Sequence, residues 1–379
     1  MKKILFRKLL TDYISFFLIA LFASTIIIWV FQAVNFLDIM IEDGRDYLVY
    51  IKYSLLNYPK IISKLFPFVL FFSIFYVTVK YELNNELLIF WNFGINKFEI
   101  INFVFKFSLF LMLIQVVLTS IIVPRSQDLA RSFIRDSKVN FFESFIKPKK
   151  FIDTITNVTI YSEKKDKNGN LFNLYIKKQI DENNFQITYA KKGEFKEKGG
   201  IPILVMYEGE TITAKNNKFK NFNFSKSDFS LKNLATNTTT YIKTQEISST
   251  KLIKCLGVLY NFKFANNNNL IENCDKNNIK NILKEFYKRA VIPLYIPLLT
   301  LIPFILIINS KENVNYLKIR TLTFLIGLIV IIFSETTIRF ISEILFKNLS
   351  LVIIPLILIM ILYIIYFYKF RFVYLKEMR

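Results

Sequence analysis

The chain has 379 residues, 53% of them hydrophobic and 17% aromatic, and its 50 Lys and Arg against 29 Asp and Glu give a net charge of +21. A mean hydropathy of +0.37 is too apolar for two or three ordinary soluble domains and points to a membrane protein. Histidine is absent, which excludes imidazole acid–base catalysis, Ser-His and Cys-His nucleophiles and His-ligated metal sites.

A bilayer core about 30 Å thick is crossed by about 20 apolar residues in helical form. Tyr13–Val34 has no charged residue, and Lys60–Val79 has only Lys60 and Lys64 at its beginning. The first of these runs is longer than the apolar part of a signal peptide and lacks a small-residue cleavage site after it. Between the second run and the third, Phe98–Val123, lies Glu82-Leu83-Asn84-Asn85-Glu86-Leu87-Leu88-Ile89-Phe90-Trp91-Asn92-Phe93-Gly94. Leu83, Leu87, Phe90 and Trp91 recur at helical spacing, and Gly94 is placed to end the helix. Its polar face carries Glu82, Asn84, Asn85 and Glu86 rather than Lys and Arg, which favours a protein partner over a membrane surface.

From about Phe151 to Tyr241 the period changes to two, as in Phe185-Ile187-Tyr189 and Phe222-Phe224. Asn168-Gly169 and Gly199-Gly200 sit between apolar stretches as hairpin turns, so this segment reads as an all-β sandwich or jelly roll. Arg125 to Lys138 before it and Asn277 to Lys288 after it read as polar helices continuing the neighbouring spans, and Asn266 to Asn269 as a loop. Cys255 and Cys274 are compatible with a disulfide in an oxidising compartment or with two small buried residues, and spacing alone does not choose. Three more apolar runs follow: Ala290–Ile308, Thr321–Phe340 and Leu349–Tyr368. Pro59, Pro67, Pro293, Pro297, Pro303 and Pro355 fall in or beside the runs, where spanning helices tolerate them.

The expected architecture is membrane α-helical, with six transmembrane helices arranged three plus three and an inserted extracytoplasmic jelly-roll-like β domain. Its divisions are residues 1–123 with the cytoplasmic helix near 82–94, residues 124–285 with flanking helices, and residues 286–379. Lys2, Lys3, Arg7 and Lys8 before the first run, and Lys369, Arg371, Lys376 and Arg379 after the last, put both termini in the cytoplasm. Lys311, Lys318 and Arg320 fall on the same side, and the acidic Asp38, Glu42, Asp43 and Asp46 on the other. No Gly-Lys dipeptide, Gly-x-Ser-x-Gly or His-Glu-x-x-His occurs, so the chain carries no phosphate-binding loop or hydrolase signature. The lysines between Lys138 and Lys288 lack the interleaved aromatics of a nucleic-acid groove.

This order of elements resembles the LptF/LptG permeases of lipopolysaccharide export. Besides Glu86 to Gly94, Val123-Pro124-Arg125 after the third run and Glu285-Phe286-Tyr287-Lys288-Arg289-Ala290-Val291-Ile292-Pro293 before the fourth look like family motifs. Trp29-Val30-Phe31-Gln32 followed by Phe36-Leu37-Asp38 looks more like the LptF member than LptG. The resemblance implies a permease without catalysis or cofactor of its own, in the bacterial inner membrane with its large domain periplasmic. It implies pairing with an LptG-like permease on an LptB-like ATPase dimer, and passage of lipopolysaccharide to LptC-like and LptA-like jelly rolls. In that frame Glu86, Leu87, Phe90 and Gly94 form the coupling helix. Trp29, Phe31, Gln32 and Phe36 line a lateral gate together with Glu335 and Arg339, which are four apart and can pair on one helix face. The family commonly carries a basic residue just after the first span, where this chain has Asn35, Asp38, Glu42 and Asp43. Arg45, Lys52, Lys60 and Lys64 are the nearest substitutes for headgroup contact. A paralogue of the LptG type, and a mechanotransmitting or assembly protein without a lipid cavity, are the alternatives.

Overall fold

The computed structural model describes residues 2–41, 47–136, 146, 148–155, 158–166, 169–181, 184–198, 201–215, 218–230, 243–260, 274–308, 311 and 314–372. Arg45, the Gly199-Gly200 turn and the Asn266 to Asn269 tract lie outside them, as do the side chains of Asp38, Glu42, Asp43 and Asp46. The chain divides into a helical unit (Met1–Val30, Leu56–Asp128 and Ile242–Arg379) and a sheet unit (Phe31–Leu55 and Leu129–Tyr241). Residues 242–285, which the sequence reading assigns to the inserted domain, thus cluster with the helices.

Among the described residues six segments are long and apolar enough to cross a membrane: Lys2–Leu37, Tyr47–Leu83, Lys97–Ile134, Lys276–Ile308, Tyr316–Phe340 and Phe346–Phe370, spans 1 to 6. Spans 1 and 2 comprise α1 (Lys2–Ile41), α2 (Tyr47–Leu56) and α3 (Tyr58–Leu83). The short α4 (Glu86–Asn92) precedes span 3, in which α5 (Lys97–Val117) passes through a π-helical turn into α6 (Val123–Asp136). Span 4 is central: every residue of its middle helix Tyr295–Leu301 is buried. Spans 1, 3, 5 and 6 pack on one side only and leave Ile19, Phe22, Phe110, Ile329 and Ile361 exposed. Apolar faces of this extent belong against lipid or another protein.

Prolines set the internal wiring of this unit. Proline has no N–H, so the carbonyl four residues before it loses its helical donor, and in hydrocarbon no water replaces it. Pro67 lies inside α3 and frees the Ser63 carbonyl; Gln115 of span 3, buried, donates to that oxygen through Nε2 at 2.7 Å. Pro293 likewise frees Arg289; the Thr119 hydroxyl lies 3.3 Å from that carbonyl but is nearer the Gln115 carbonyl of its own helix, at 2.9 Å. Pro355 frees Leu351, whose carbonyl lies 3.5 Å from the Tyr287 hydroxyl, which donates to Thr337 at 3.0 Å. Span 4 breaks into 3-10 turns at Ile292–Leu294 and Ile302–Phe304, each with proline in its first positions. The second turn sends the Ile305 N–H to Ile302 and Pro303, and the Leu301 carbonyl accepts from Tyr366 of span 6 at 2.9 Å instead.

In the sheet unit, β1 (Phe151–Ile155), β2 (Val158–Lys165), β3 (Leu171–Asp181), β4 (Asn184–Lys198), β5 (Ile201–Lys215) and β6 (Lys218–Ser230) form one antiparallel sheet in sequence order. Among the described residues the strands run as an uncrossed meander, in keeping with the inserted β domain that strand spacing suggests. Gly169, at φ 80°, closes the β2–β3 turn and donates to Asp166 at 3.0 Å. One face buries Ile160, Leu171, Leu174, Ile176, Leu204 and Met206, and the other carries a cross-strand ladder of Phe151, Tyr161, Tyr175 and Tyr189.

Residues after the sheet return to the helices through α7 (Ser249–Leu259), which packs on α8 (Ile279–Ala290); α9 (Tyr295–Leu301) and α10 (Ile305–Ile308) follow in span 4. Cys255 and Cys274 are joined in a disulfide with Cα atoms 5.8 Å apart, closing the alternative that the sequence leaves open. The buried Arg289 guanidinium pairs with Glu285 at 3.1 Å and donates to the carbonyls of Ile247 at 2.8 Å and Gln245 at 3.0 Å and to the Ser249 hydroxyl at 2.9 Å. These bonds and the disulfide explain why residues 243–285 cluster with the helices.

Replacing Gln115 by Leu should lower unfolding stability by about 1 kcal/mol, since it orphans the Ser63 carbonyl. In a Pro67→Ala background, where a backbone N–H returns to that carbonyl, the same replacement should have little effect. Denaturant titrations of the four variants in micelles check this; equal losses in both backgrounds refute the assignment.

Candidate functional site

The segment between spans 2 and 3 is built from two helix ends. α3 stops at Leu83, and Asn85 takes a left-handed φ of 62°, a conformation asparagine adopts more readily than most residues. Leu88 N–H then bonds to the Asn85 carbonyl at 3.1 Å and α4 begins. Glu86, in its first turn, is half-buried, accepts from Asn84 Nδ2 at 3.3 Å and faces the positive end of the helix. Gly94, φ 68°, terminates α4: its N–H bonds to Trp91 at 2.9 Å and Ile95 N–H reaches back to Phe90 at 3.0 Å, with Ile95 and Phe90 both buried. That is the Schellman arrangement, and it needs the left-handed residue that glycine supplies.

The break at Asn84 and Asn85 changes which side chains face outward. Read as one helix over 82–94, the sequence puts Leu83, Leu87, Phe90 and Trp91 on a partner-facing stripe. Leu87 and Phe90 are instead buried in the chain's own core, and Trp91 packs against it. The apolar side chains left exposed are Leu83, Leu88 at 52%, Ile89 at 47% and Phe93. Glu82, expected on the polar face, is buried and accepts a 2.7 Å hydrogen bond from the Tyr316 hydroxyl of span 5. The left-handed turn at Asn85 shifts the register and so undoes the single-helix reading.

Every other span has a side chain or carbonyl at this segment. From span 1, Lys2 donates to the Gly94 carbonyl at 3.2 Å and pairs with Glu99 at 3.4 Å, Phe6 meets the Phe90 ring, and Asp12 accepts from Tyr81. Lys97, which starts α5, donates to the Ile307 carbonyl of span 4 at 3.0 Å and lies over the rings of Trp91 and Phe370. Asn96 caps α5 and donates to the Phe370 carbonyl of span 6 at 3.4 Å. Lys311, after span 4, donates to the Asn85 side chain. α4 is thus an exposed apolar patch on a pedestal fastened to all six spans.

The remaining candidates are dispersed. Trp29 meets Tyr58 edge-on at 6.5 Å, and Phe36 meets Tyr53 at 4.9 Å in the sheet unit, while Phe31 is exposed and Gln32 half-buried. Lys52 stands over the Phe133 ring at 5.0 Å. Lys60 is half-buried and Lys64 exposed on the next turn; Lys243, Lys288 and Glu285 lie within electrostatic range of Lys60, a cluster to which the sequence reading did not assign Lys243 and Lys288. Glu335 and Arg339 do not pair, which corrects the sequence expectation. The helix α11 (Tyr316–Thr336) ends between them and the chain continues as a 3-10 turn, Thr337–Phe340, so residues four apart no longer share a face. Both side chains are exposed. No cluster of acidic or cysteine side chains with metal-ligand potential occurs among the described residues.

Residues 7–369 match the family described as lipopolysaccharide export system permease LptF/LptG. The chain belongs to the LptF/LptG family. It is also 24% identical over 208 residues to a Rickettsia prowazekii (strain Madrid E) protein described as "Uncharacterized protein RP871". That alignment takes in 54% of this chain and 57% of the Rickettsia protein, so the chain spans just over half the length of the curated relative it matches. The matched residues take in parts of all six spans and the inserted sheet.

Leu87→Ala or Phe90→Ala should each destabilise the helical unit by about 2–5 kcal/mol, whereas Leu88→Ala and Ile89→Ala should change stability by less than about 0.5 kcal/mol. Thermal unfolding in detergent distinguishes the pairs; equal losses contradict the observed seat of α4.

Proposed function

We propose that this protein is a permease subunit of an ABC transporter that extracts lipopolysaccharide from the outer leaflet of the bacterial inner membrane and hands it to a periplasmic bridge. The observation that supports this most is the seat of α4. A short helix presenting Leu88, Ile89 and the Glu86 carboxylate, and fastened to every span, is suited to receive the movement of a separate ATPase and spread it through the membrane unit. The chain has no nucleotide-binding motif, so the ATPase, an LptB-like dimer, is another chain. Glu86 accepts charge-assisted hydrogen bonds from it, and Leu88 and Ile89 fill its groove.

The orientation follows from two opposite ends of the helical unit. Lys2 and Phe370, near the two ends of the chain, meet at the α4 segment, and the basic residues flanking spans 1 and 6 keep that end in the cytoplasm. The Cys255–Cys274 disulfide lies with Arg289 and Thr119 at the far end of span 3, and a disulfide belongs to an oxidising compartment. The sheet unit is then periplasmic. Among the described residues β6 pairs only with β5, so its other edge is available to the jelly roll of an LptC-like or LptA-like partner. The exposed faces of spans 1 and 5, with Trp29, Phe31, Gln32 and Phe36 on one and Glu335 and Arg339 at the end of the other, form the lateral gate opposite an LptG-like permease. Lys60 and Lys64 meet the lipid phosphates, and Trp29-Val30-Phe31-Gln32 favours the LptF-type member of the pair.

In the reconstituted complex, Glu86→Ala or Leu88→Asp should lower ATPase association at least about tenfold and abolish ATP-dependent lipid release while the permease stays folded. Depleting the protein in cells should lower surface lipopolysaccharide. Normal surface lipopolysaccharide after depletion would sink the export function.

A further inference from the structure

Glu82 and Tyr316 form a pair that the proposed docking of α4 does not use. Both are almost fully buried, at 9% and 5% exposure, and the hydroxyl donates to the carboxylate at 2.7 Å. A buried carboxylate is a poor choice for stability alone, since an apolar pair of similar volume usually serves as well or better. Ionisable residues within membrane segments ordinarily serve a task.

Position suggests that task. Glu82 stands on the last turn of α3, two residues before the Asn84-Asn85 turn that launches α4. Tyr316 is the first residue of α11. Further along span 5 the fit is close: the Phe71 ring of α3 fills the space beside Gly327, 2.0 Å from where a Cβ would stand, Phe324 packs on Phe71 and Phe75, and Thr337 accepts from the Tyr287 hydroxyl of span 4 at 3.0 Å. Among the described residues the Glu82–Tyr316 bond is the one hydrogen bond between a side chain of α11 and another span. Lys97, which bonds to the Ile307 carbonyl of span 4, and Lys311, which bonds to the Asn85 side chain, are the cations that act on Glu82.

We propose that the Glu82–Tyr316 hydrogen bond is the link through which displacement of α4 is passed to the first turn of span 5, with Tyr316 a positioning residue for that turn. A pull on α4 moves the last turn of α3, and the bond carries the first turn of span 5 with it; without the bond, that turn moves separately from α3 while Phe71 at Gly327 holds the middle of the span. The mechanical statement concerns this chain alone, and its use in transport rests on the function proposed above.

The test uses the full chain in nanodiscs with spin labels at Ile89 on α4 and Leu317 on the first turn of span 5, both exposed, the native cysteines being held in their disulfide. Tyr316→Phe removes only the hydroxyl and should broaden the Ile89–Leu317 distance distribution about twofold, because a hydrogen bond to a charged group biases a two-state equilibrium by tenfold or more. Glu82→Gln should broaden it less, and the double variant no more than Tyr316→Phe alone. A distribution as narrow in Tyr316→Phe as in the wild type overturns the proposal. In the complex with its ATPase, Tyr316→Phe should raise ATP consumed per lipid released about tenfold while ATPase association stays within twofold of wild type. Loss of association in proportion would make Tyr316 merely structural and also overturns it. Absence of lipid release in the wild type, with the label result as expected, would remove the transport reading and leave the link standing.

Discussion

In hydrocarbon a carbonyl without a donor has no water to fall back on, and proline creates such carbonyls wherever it interrupts a helix. The helical unit is organised around supplying those donors from neighbouring spans. Ser63, freed by Pro67, is met by Gln115 of span 3, and Leu301, left by the proline-containing turn Ile302–Phe304, is met by Tyr366 of span 6. The two donors come from different spans, so span 2 is tied to span 3 and span 4 to span 6. The apolar packing of Phe66, Leu70, Val104, Leu111 and Ile296 fills the space that these bonds define.

The two ends of the unit use polar groups differently. At the disulfide end one guanidinium satisfies two carbonyls, a hydroxyl and a carboxylate, and with the Cys255–Cys274 bridge holds the segment between sheet and span 4 in a fixed place. At the α4 end the bonds are single and spread over many elements: Lys2 to Gly94, Lys97 to Ile307, Asn96 to Phe370, Tyr316 to Glu82. Concentrated bonding makes an anchor, while distributed bonding lets one small helix communicate with each span. An ATPase that binds at the second end and a lipid gate that is braced at the first would use this division directly.

What the sequence disclosed and what it concealed divide along physical lines. Uncharged runs of membrane-spanning length, period-two strands and the Asn168-Gly169 turn depend on local properties, and all six spans and the inserted sheet were legible in them. The helix stop at Gly94 was legible for the same reason. The Asn84-Asn85 break was not: two asparagines inside a helical period look like a polar face until one of them takes a left-handed φ. Leu87 and Phe90 were therefore placed facing a partner when they are core. Glu335 and Arg339 failed because an i, i+4 rule presumes a helix that continues, and α11 does not. Gln115, Glu82 and Tyr316 carried no signal at all, since their roles are set by partners 52 and 234 residues away in sequence. A polar residue in mid-span whose spacing matches a proline on a neighbouring span is the one clue that a closer reading could have used.

The seat of α4 also has a consequence for how the chain is made. Its pedestal includes the Phe370 carbonyl and ring, contributed by span 6, and the Ile307 carbonyl, contributed by span 4. A ribosome delivers α4 long before either exists, so the surface Leu88 and Ile89 present is completed only when the last span has been inserted. A truncated or half-inserted chain would offer this helix without its footing, and a rigid partner groove would discriminate against it. For the docking proposed above, the same geometry would make engagement of α4 a check that every span is present.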